Sequence, residues 1–332
     1  MKQLKFLIFI LTAITILSCY SVESNCPTCD GDVFWEHAGN LPHSDDGFSL
    51  TVANNGNIWA QSYDKLYLST DNGDTWVKKN NNTPFYWGSI TVNPNSGYLF
   101  YTGSCGVFRS NDNGENWEYI HDNLNSDAGI LFTVSGEIYI GYPKSYMEDV
   151  CYYSNDNGNT WIEKSKGLPA WFSPAAVGKD GTLYAGSGVY RSTDGGATWL
   201  PPSNYNNAYV HSLAICDDGS IFAATSTLDA VIIKSTDKGV NWTKINTGFD
   251  AQHIFRVIYN PVTKDIFVTT IVQQGYYKVY RSTNLGKDWK LENSGLPNPG
   301  SSNDGYLVVN PMTGQMFMGI YNGFYRTKNY PK

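Results

Sequence analysis

Six short segments of this chain are variants of one pattern, S-x-D-x-G-x-x-W. They are Ser69–Trp76, Ser110–Trp117, Ser154–Trp161, Ser192–Trp199, Ser235–Trp242 and Ser282–Trp289. Five carry an acid at the third position, namely Asp71, Asp112, Asp156, Asp194 and Asp237, and the sixth carries Asn284. A motif that returns at intervals of roughly 40 residues marks an array of small units, none able to bury its apolar face alone. Between the motifs the chain reads as short strands. In the second unit these are Gly88–Asn93, Tyr98–Thr102, Val107–Ser110 and Trp117–Ile120. Composition agrees: aromatics reach 15% against 16% charged residues, Gly numbers 32, and no stretch reads as a long amphipathic helix. Four strands per unit predict an all-β fold, a β-propeller.

The tryptophans count the blades. Trp35 precedes the six motif tryptophans at the same interval but has no motif before it. At the other end Phe324-Tyr-Arg-Thr327 repeats Val189-Tyr-Arg-Ser192 and Val279-Tyr-Arg-Ser282, then breaks off before a Gly or Trp. The N-terminal strand around Trp35 is therefore expected to pair near Tyr325, complete the last blade and close a ring of seven. Within each motif the Asp is expected to accept from backbone N–H groups one or two residues on, and the Gly to take positive φ. Asn284 retains an acceptor oxygen, so its turn is expected to survive with a weaker bond. The Asp-Asn-Gly runs lack the alternating ligand spacing of a calcium loop.

The repeated motif resembles the Asp-box, or bacterial neuraminidase repeat, across nearly all of the chain after residue 32. That resemblance implies a propeller with the boxes between third and outer strands, as scaffold, on the face opposite the usual site. It places a site among the outer-to-inner and second-to-third loops. Sialidases of this fold use three arginines and a Glu-activated Tyr. Only five Arg occur here, and Arg109, Arg191, Arg281 and Arg326 share one repeated position before the motif, a slot filled by Lys234 in another unit. Repetition marks a structural role and leaves Arg256, too few for such a clamp. Glu36, Glu118, Glu163 and Glu292 lie near the blade tryptophans. Single-ring relatives of this kind act as receptors or assembly factors, and paired rings act on plant glucans.

The reading is accordingly a noncatalytic propeller that binds a glycan or a protein ligand on the loop face; the alternative is a glycoside hydrolase or lyase. Trp87 and Trp171 are the expected anchors, with Tyr209, His253 and Asp127 as further ligand-binding candidates, because aromatic faces stack on sugars. Aromatics also wedge between blades. Trp59, in a second strand, reads as core. Asp46 and Asp304 fall at the starts of inner strands in the first and last units, and a carboxylate pair is what acid–base glycoside hydrolysis needs. Each Asp can equally bond its own turn. No spacing of His, Cys and acids suggests a metal, and no cofactor is called for.

Lys2 and Lys5 precede an apolar run, Phe6 to Leu17, too short to span a bilayer. Ile16-Leu17-Ser18-Cys19 resembles a bacterial lipoprotein box, which implies lipidation of Cys19; ordinary signal cleavage is the other reading. Residues 1–18 are read as signal peptide, 19–32 as a lipid-attached tether and 33–332 as the propeller. An exported chain, secreted or anchored in the envelope, and a monomer, is expected, with membrane contact only through the lipid. The net charge of −7 argues against nucleic-acid partners. Cys26-Pro-Thr-Cys29 reads as a local disulfide in the tether. A Cys105–Cys151 bridge between adjacent blades and an unpaired Cys216 are expected.

Overall fold

A computed structural model describes residues 33–41, 49–62, 65–79, 88–103, 106–121, 129–145, 148–168, 174–186, 188–205, 210–225, 231–249, 251, 253–271, 277–297, 306–320, 323–328 and 330. These residues form seven antiparallel sheets and no helix. Six sheets have four strands in the order inner, second, third, outer. The blade with strands Pro174–Val177, Leu183–Ala185 and Tyr190–Ser192 has three, extended by one bridge from Arg191 to Leu200. Pro201 and Pro202 follow Leu200, and with no N–H to donate they stop that outer strand. Numbered from the sheet that begins at Ser49, the blades run in chain order, and the inner strand of blade 7, Tyr306–Val309, packs against that of blade 1, Ser49–Val52. The expected seven-bladed propeller is thus present.

Alternation along the second strands decides the packing. Each of the seven places a buried aromatic after an aliphatic residue: Trp59, Phe100, Tyr139, Tyr184, Phe222, Phe267 and Phe317. In blade 1, Trp59 faces blade 2 among Ile90, Val92 and Leu99, while its neighbours Ile58 and Ala60 face Phe317 and Phe324 of blade 7. The apolar core among the described residues is accordingly divided into seven clusters, one at each blade interface. Trp59 is core, as its position in a second strand implied.

The repeated turn is built by the Ser and the Asp together. Ser69 Oγ donates to Asp71 Oδ1 at 2.8 Å and accepts from the Gly73 N–H at 2.8 Å. Asp71 Oδ1 accepts from the Thr75 N–H at 2.9 Å, and Oδ2 accepts from the Thr75 hydroxyl at 2.5 Å. The Asp therefore bonds the residue four positions on. The expectation of one or two positions is corrected, because the two residues after the Asp are both left-handed, with φ 60° at Asn72 and 87° at Gly73. That curls residue 75 back over the carboxylate, the geometry of a type I′ turn. The Thr75 hydroxyl and then its N–H hold the Asp71 carboxyl down at about 2, and Thr198 does the same for Asp194. The turn glycine then lies on the preceding blade's aromatic: a Cβ on Gly286 would stand 2.8 Å from Phe222 Cε1.

A cation from the preceding blade caps the same carbonyl in four of these turns. Arg326 reaches Asn72 O at 3.2 Å, Arg109 reaches Asn157 O at 2.6 Å, Lys164 reaches Gly195 O at 2.5 Å and Lys234 reaches Leu285 O at 3.2 Å. Arg109 also pairs with Glu118 at 2.5 Å and Arg326 with Glu36 at 2.8 Å. The blade after Arg281 carries no complete motif, and Arg281 pairs with Asp265 of its own blade at 2.8 Å. For Arg109, Lys234 and Arg326 the repeated slot is a joint between blades.

Closure occurs where the sequence places it. Trp35 pairs with Thr327 and His37 with Tyr325. Trp35 is fully buried, and its indole N–H donates to Glu292 O of blade 6 at 2.7 Å. The truncated seventh motif is replaced by Phe34 and Tyr330, which cover Phe267 with ring centroids 6.2 and 6.0 Å away, while Arg281 lies 4.8 Å from the Tyr330 centroid.

Cys151 is a free buried thiol, so the expected Cys105–Cys151 bridge is corrected. Its side chain packs with Leu183, Ala185 and Trp199 of blade 4, turned away from blade 2, which carries residue 105. Cys105 itself, with Cys19, Cys26 and Cys29, lies outside the described residues. Cys216 is free and buried, as expected. Burial pushes both thiols up to about 12.

Two outcomes follow. Trp35→Ala removes the buried closing side chain and is expected to cost about 3–5 kcal/mol in urea unfolding; a loss below about 1 kcal/mol would show that the ring does not depend on it. In the sixth turn the roles are reversed, since Asn284 Nδ2 donates to Asp288 Oδ2 at 2.8 Å while Oδ1 still accepts the Asp288 N–H at 2.9 Å. Asn284→Asp faces two carboxylates and is expected to destabilise by about 1 kcal/mol. Adding Asp288→Thr should restore the parent melting temperature, and failure of that rescue would refute the exchange of donor and acceptor.

Candidate functional site

The inner strands surround the propeller axis, and their first residues open onto the loop face. Those positions hold Ser49, Gly88, Gly129, Pro174, Val210, His253 and Tyr306 in blades 1 to 7. Six are small, aliphatic or set at the rim, and the seventh is a large ring. Tyr306 reaches across blade 1, and its hydroxyl lies 3.3 Å from Ser89 Oγ of blade 2. The guanidinium of Arg256, from blade 6, lies over the Tyr306 ring with its carbon 4.4 Å from the centroid. Blades 6, 7 and 2 thus meet above the axis.

Around this contact lies a funnel of about 340 Å³. Blade 1 contributes Ser49 and Leu50, blade 2 Ser89, Thr91 and Thr102, and blade 3 Gly129 and Ile130, opposite Arg256 and Tyr306. Ser49 Oγ accepts the Ile90 N–H at 3.2 Å, which ties blade 1 to blade 2 at the rim. Arg256 is half-buried, and among the described residues no carboxylate pairs with it. It differs in this from Arg109 and Arg326, which are each spent on a carboxylate and on the next blade's turn.

One backbone irregularity places Arg256. The inner strand of blade 6 shifts register between Ile254 and Arg256, a bulge at Phe255. Blades 4 and 5 bulge at the matching positions, between Pro174 and Ala176 and between Val210 and Ser212. The inner strands of blades 1, 2, 3 and 7 pair without a break. Bulges re-aim side chains and cluster at rims. Here they make one side of the axial mouth unlike the other.

Of the residues singled out in the sequence, His253 is exposed at the start of the blade 6 inner strand, its ring 6.3 Å from that of Phe255, and it does not line the funnel. Trp87, Trp171, Tyr209, Asp127, Asp46, Asp304 and Cys19 lie outside the described residues. Among the described residues no three His, Cys, Asp or Glu side chains stand together as a metal site would require. Sequence reasoning isolated Arg256 but missed Tyr306. The available signal was an aromatic at a position where the other blades carry small, aliphatic or histidine residues.

A second cleft, of about 230 Å³, opens on the turn face between blades 3 and 4. Tyr153, which lines it, stands in the slot that carries Arg or Lys234 in other units. Its hydroxyl is 2.9 Å from Glu137, and Lys164 lies 3.8 Å from its ring centroid. Its central polar groups are satisfied by one another.

Comparison with known proteins places these features in context. No family model matches the chain. A xyloglucanase from Paenibacillus sp is 29% identical over 183 residues, 43% of this chain, and the chain spans only 17% of that protein's length. A solved structure of YCF48 bound to D1 peptide superposes with a TM-score of 0.64 at 16% identity, covering 88% of this chain and 96% of that one. A GH74 enzyme from Niastella koreensis superposes with a TM-score of 0.55 at 22% identity, covering 78% of this chain and 38% of that one. At these identities the structural likenesses establish a shared propeller fold.

Proposed function

We propose that this protein is an exported, noncatalytic propeller that binds a glycan or protein ligand across its loop face, with the axial funnel at the centre of the site. The funnel carries this reading. It gathers hydroxyls from blades 1 and 2, one half-buried guanidinium and one tyrosine ring around a volume of about 340 Å³, inside the usual range of small-ligand sites. Trp87 and Trp171, which lie in the sequence between the outer strand of one blade and the inner strand of the next, two blades apart, are the stacking anchors this reading calls for. The resemblance of the repeated turns to the Asp-box supports the assignment of the opposite face as scaffold. Single rings that engage a peptide, as YCF48 does with its D1 peptide, have the same fold.

Glycoside hydrolysis is the second reading, favoured by the sequence match to a xyloglucanase. It would draw its carboxylates from Asp46 and Asp304, three and two residues before the lining positions Ser49 and Tyr306. A polysaccharide binding screen run beside a turnover assay separates the two. Binding without product release, weakened at least five-fold by Trp87→Ala or Trp171→Ala at an unchanged melting temperature, is the expected result. Product release that Asp304→Asn abolishes would overturn the noncatalytic reading.

The apolar run and Cys19 support export followed by lipid attachment. In a bacterial host Cys19→Ala is expected to move the exported protein from the membrane to the soluble fraction. A parent protein already soluble and unlipidated would refute the anchor.

A further inference from the structure

We propose that the axial funnel recognises a uronic-acid unit of an acidic glycan, its carboxylate held by Arg256. This rests on the reading of the loop face as the ligand-binding face and names the class of ligand. Three observations lead to it.

The first is the state of Arg256. Arg109, Arg281 and Arg326 each pair with a carboxylate, and Lys164 and Lys234 donate to turn carbonyls. Arg256 makes neither contact among the described residues; its contact is the flat face of Tyr306, 4.4 Å away. Stacking leaves the edge of a guanidinium, with its fork of N–H donors, directed along the ring plane. A half-buried fork of donors fits a planar two-oxygen acceptor better than a hydroxyl, and bidentate pairing with a carboxylate gives the strongest hydrogen bonds of this kind.

The second is the opposite wall. Ser89 and Thr91, both hydroxyl-bearing, line it from one blade, and Ser89 Oγ already lies 3.3 Å from the Tyr306 hydroxyl. Hydroxyls both donate and accept, as a sugar ring's own hydroxyls require. The third is size. A space of about 340 Å³ admits one or two pyranose units and is too small for a folded protein element. A carboxylate on one side and hydroxyls on the other describe a uronate. The bulge at Phe255 is what sets Arg256 facing that wall.

Isothermal titration of the full chain tests this with trimers of galacturonate, mannuronate and glucuronate, their methyl esters, and neutral xyloglucan and cellulose oligosaccharides. At least one acidic trimer should bind more tightly than its ester. Arg256→Gln should weaken that trimer about ten-fold to a hundred-fold, the effect of losing a charge-assisted hydrogen bond, and leave neutral sugars unaffected. Arg256→Lys keeps the charge without the fork and should fall between. A melting temperature for each variant excludes unfolding as the cause. Esters that bind as well as acids, or an acidic trimer indifferent to Arg256→Gln, would overturn the proposal while neutral-sugar binding leaves the loop-face reading standing. Binding of no saccharide would overturn both for glycans. A peptide with a free C-terminal carboxylate that binds through Arg256 where no uronate does would overturn the glycan in favour of a protein ligand.

Discussion

No blade of this protein can satisfy itself. Each second strand turns an aromatic ring toward one neighbour and smaller apolar side chains toward the other, so every core cluster is shared between two sheets. The repeated turn completes this arrangement from below. Its two left-handed residues bring a glycine down on the neighbour's ring, and its carbonyl receives that neighbour's cation. The Ser and Asp are held inside the turn by bonds to its own backbone and are therefore scaffold. The same logic explains why Tyr330 and Phe34 stand beside Phe267, the ring that faces the truncated motif.

Much of this was legible. Blade number and closure could be read from seven tryptophans and one broken motif, because a radial repeat writes its period directly into the sequence. The four repeated arginines could be set aside for the same reason, and for three of them, Arg109, Arg326 and Arg281, the partners Glu118, Glu36 and Asp265 bear that out. The reach of Asp71 to residue 75 was not legible, since it depends on Asn72 joining Gly73 in the left-handed region. Nor was the direction of Cys151. A third-strand side chain faces one neighbour or the other according to a one-residue register, and Cys151 faces blade 4.

The centre of the ring was the least legible part. Ser89, Arg256 and Tyr306 come from three blades far apart in the chain, and no local pattern announces that they meet. The bulge that sets Arg256 in place carries no mark in the residues Ile254, Phe255 and Arg256. Repetition reveals the scaffold because the scaffold repeats. A site at the axis is made of the departures from repetition, and these become visible as a site only when the ring is assembled.

The closing strand has a consequence for the order of events in making the molecule. Glu36 meets Arg326, 290 positions further along the chain. While the chain is being synthesised, the first strand has no sheet to join until the last blade emerges. Six blades can stack on one another before that, but the stack ends in two unpaired edges and an uncovered row of rings. Loop closure over such a span is slow relative to hairpin formation. The nascent protein therefore passes through an open arc that is sticky at both ends. Its first strand must be kept from other partners until the chain is complete.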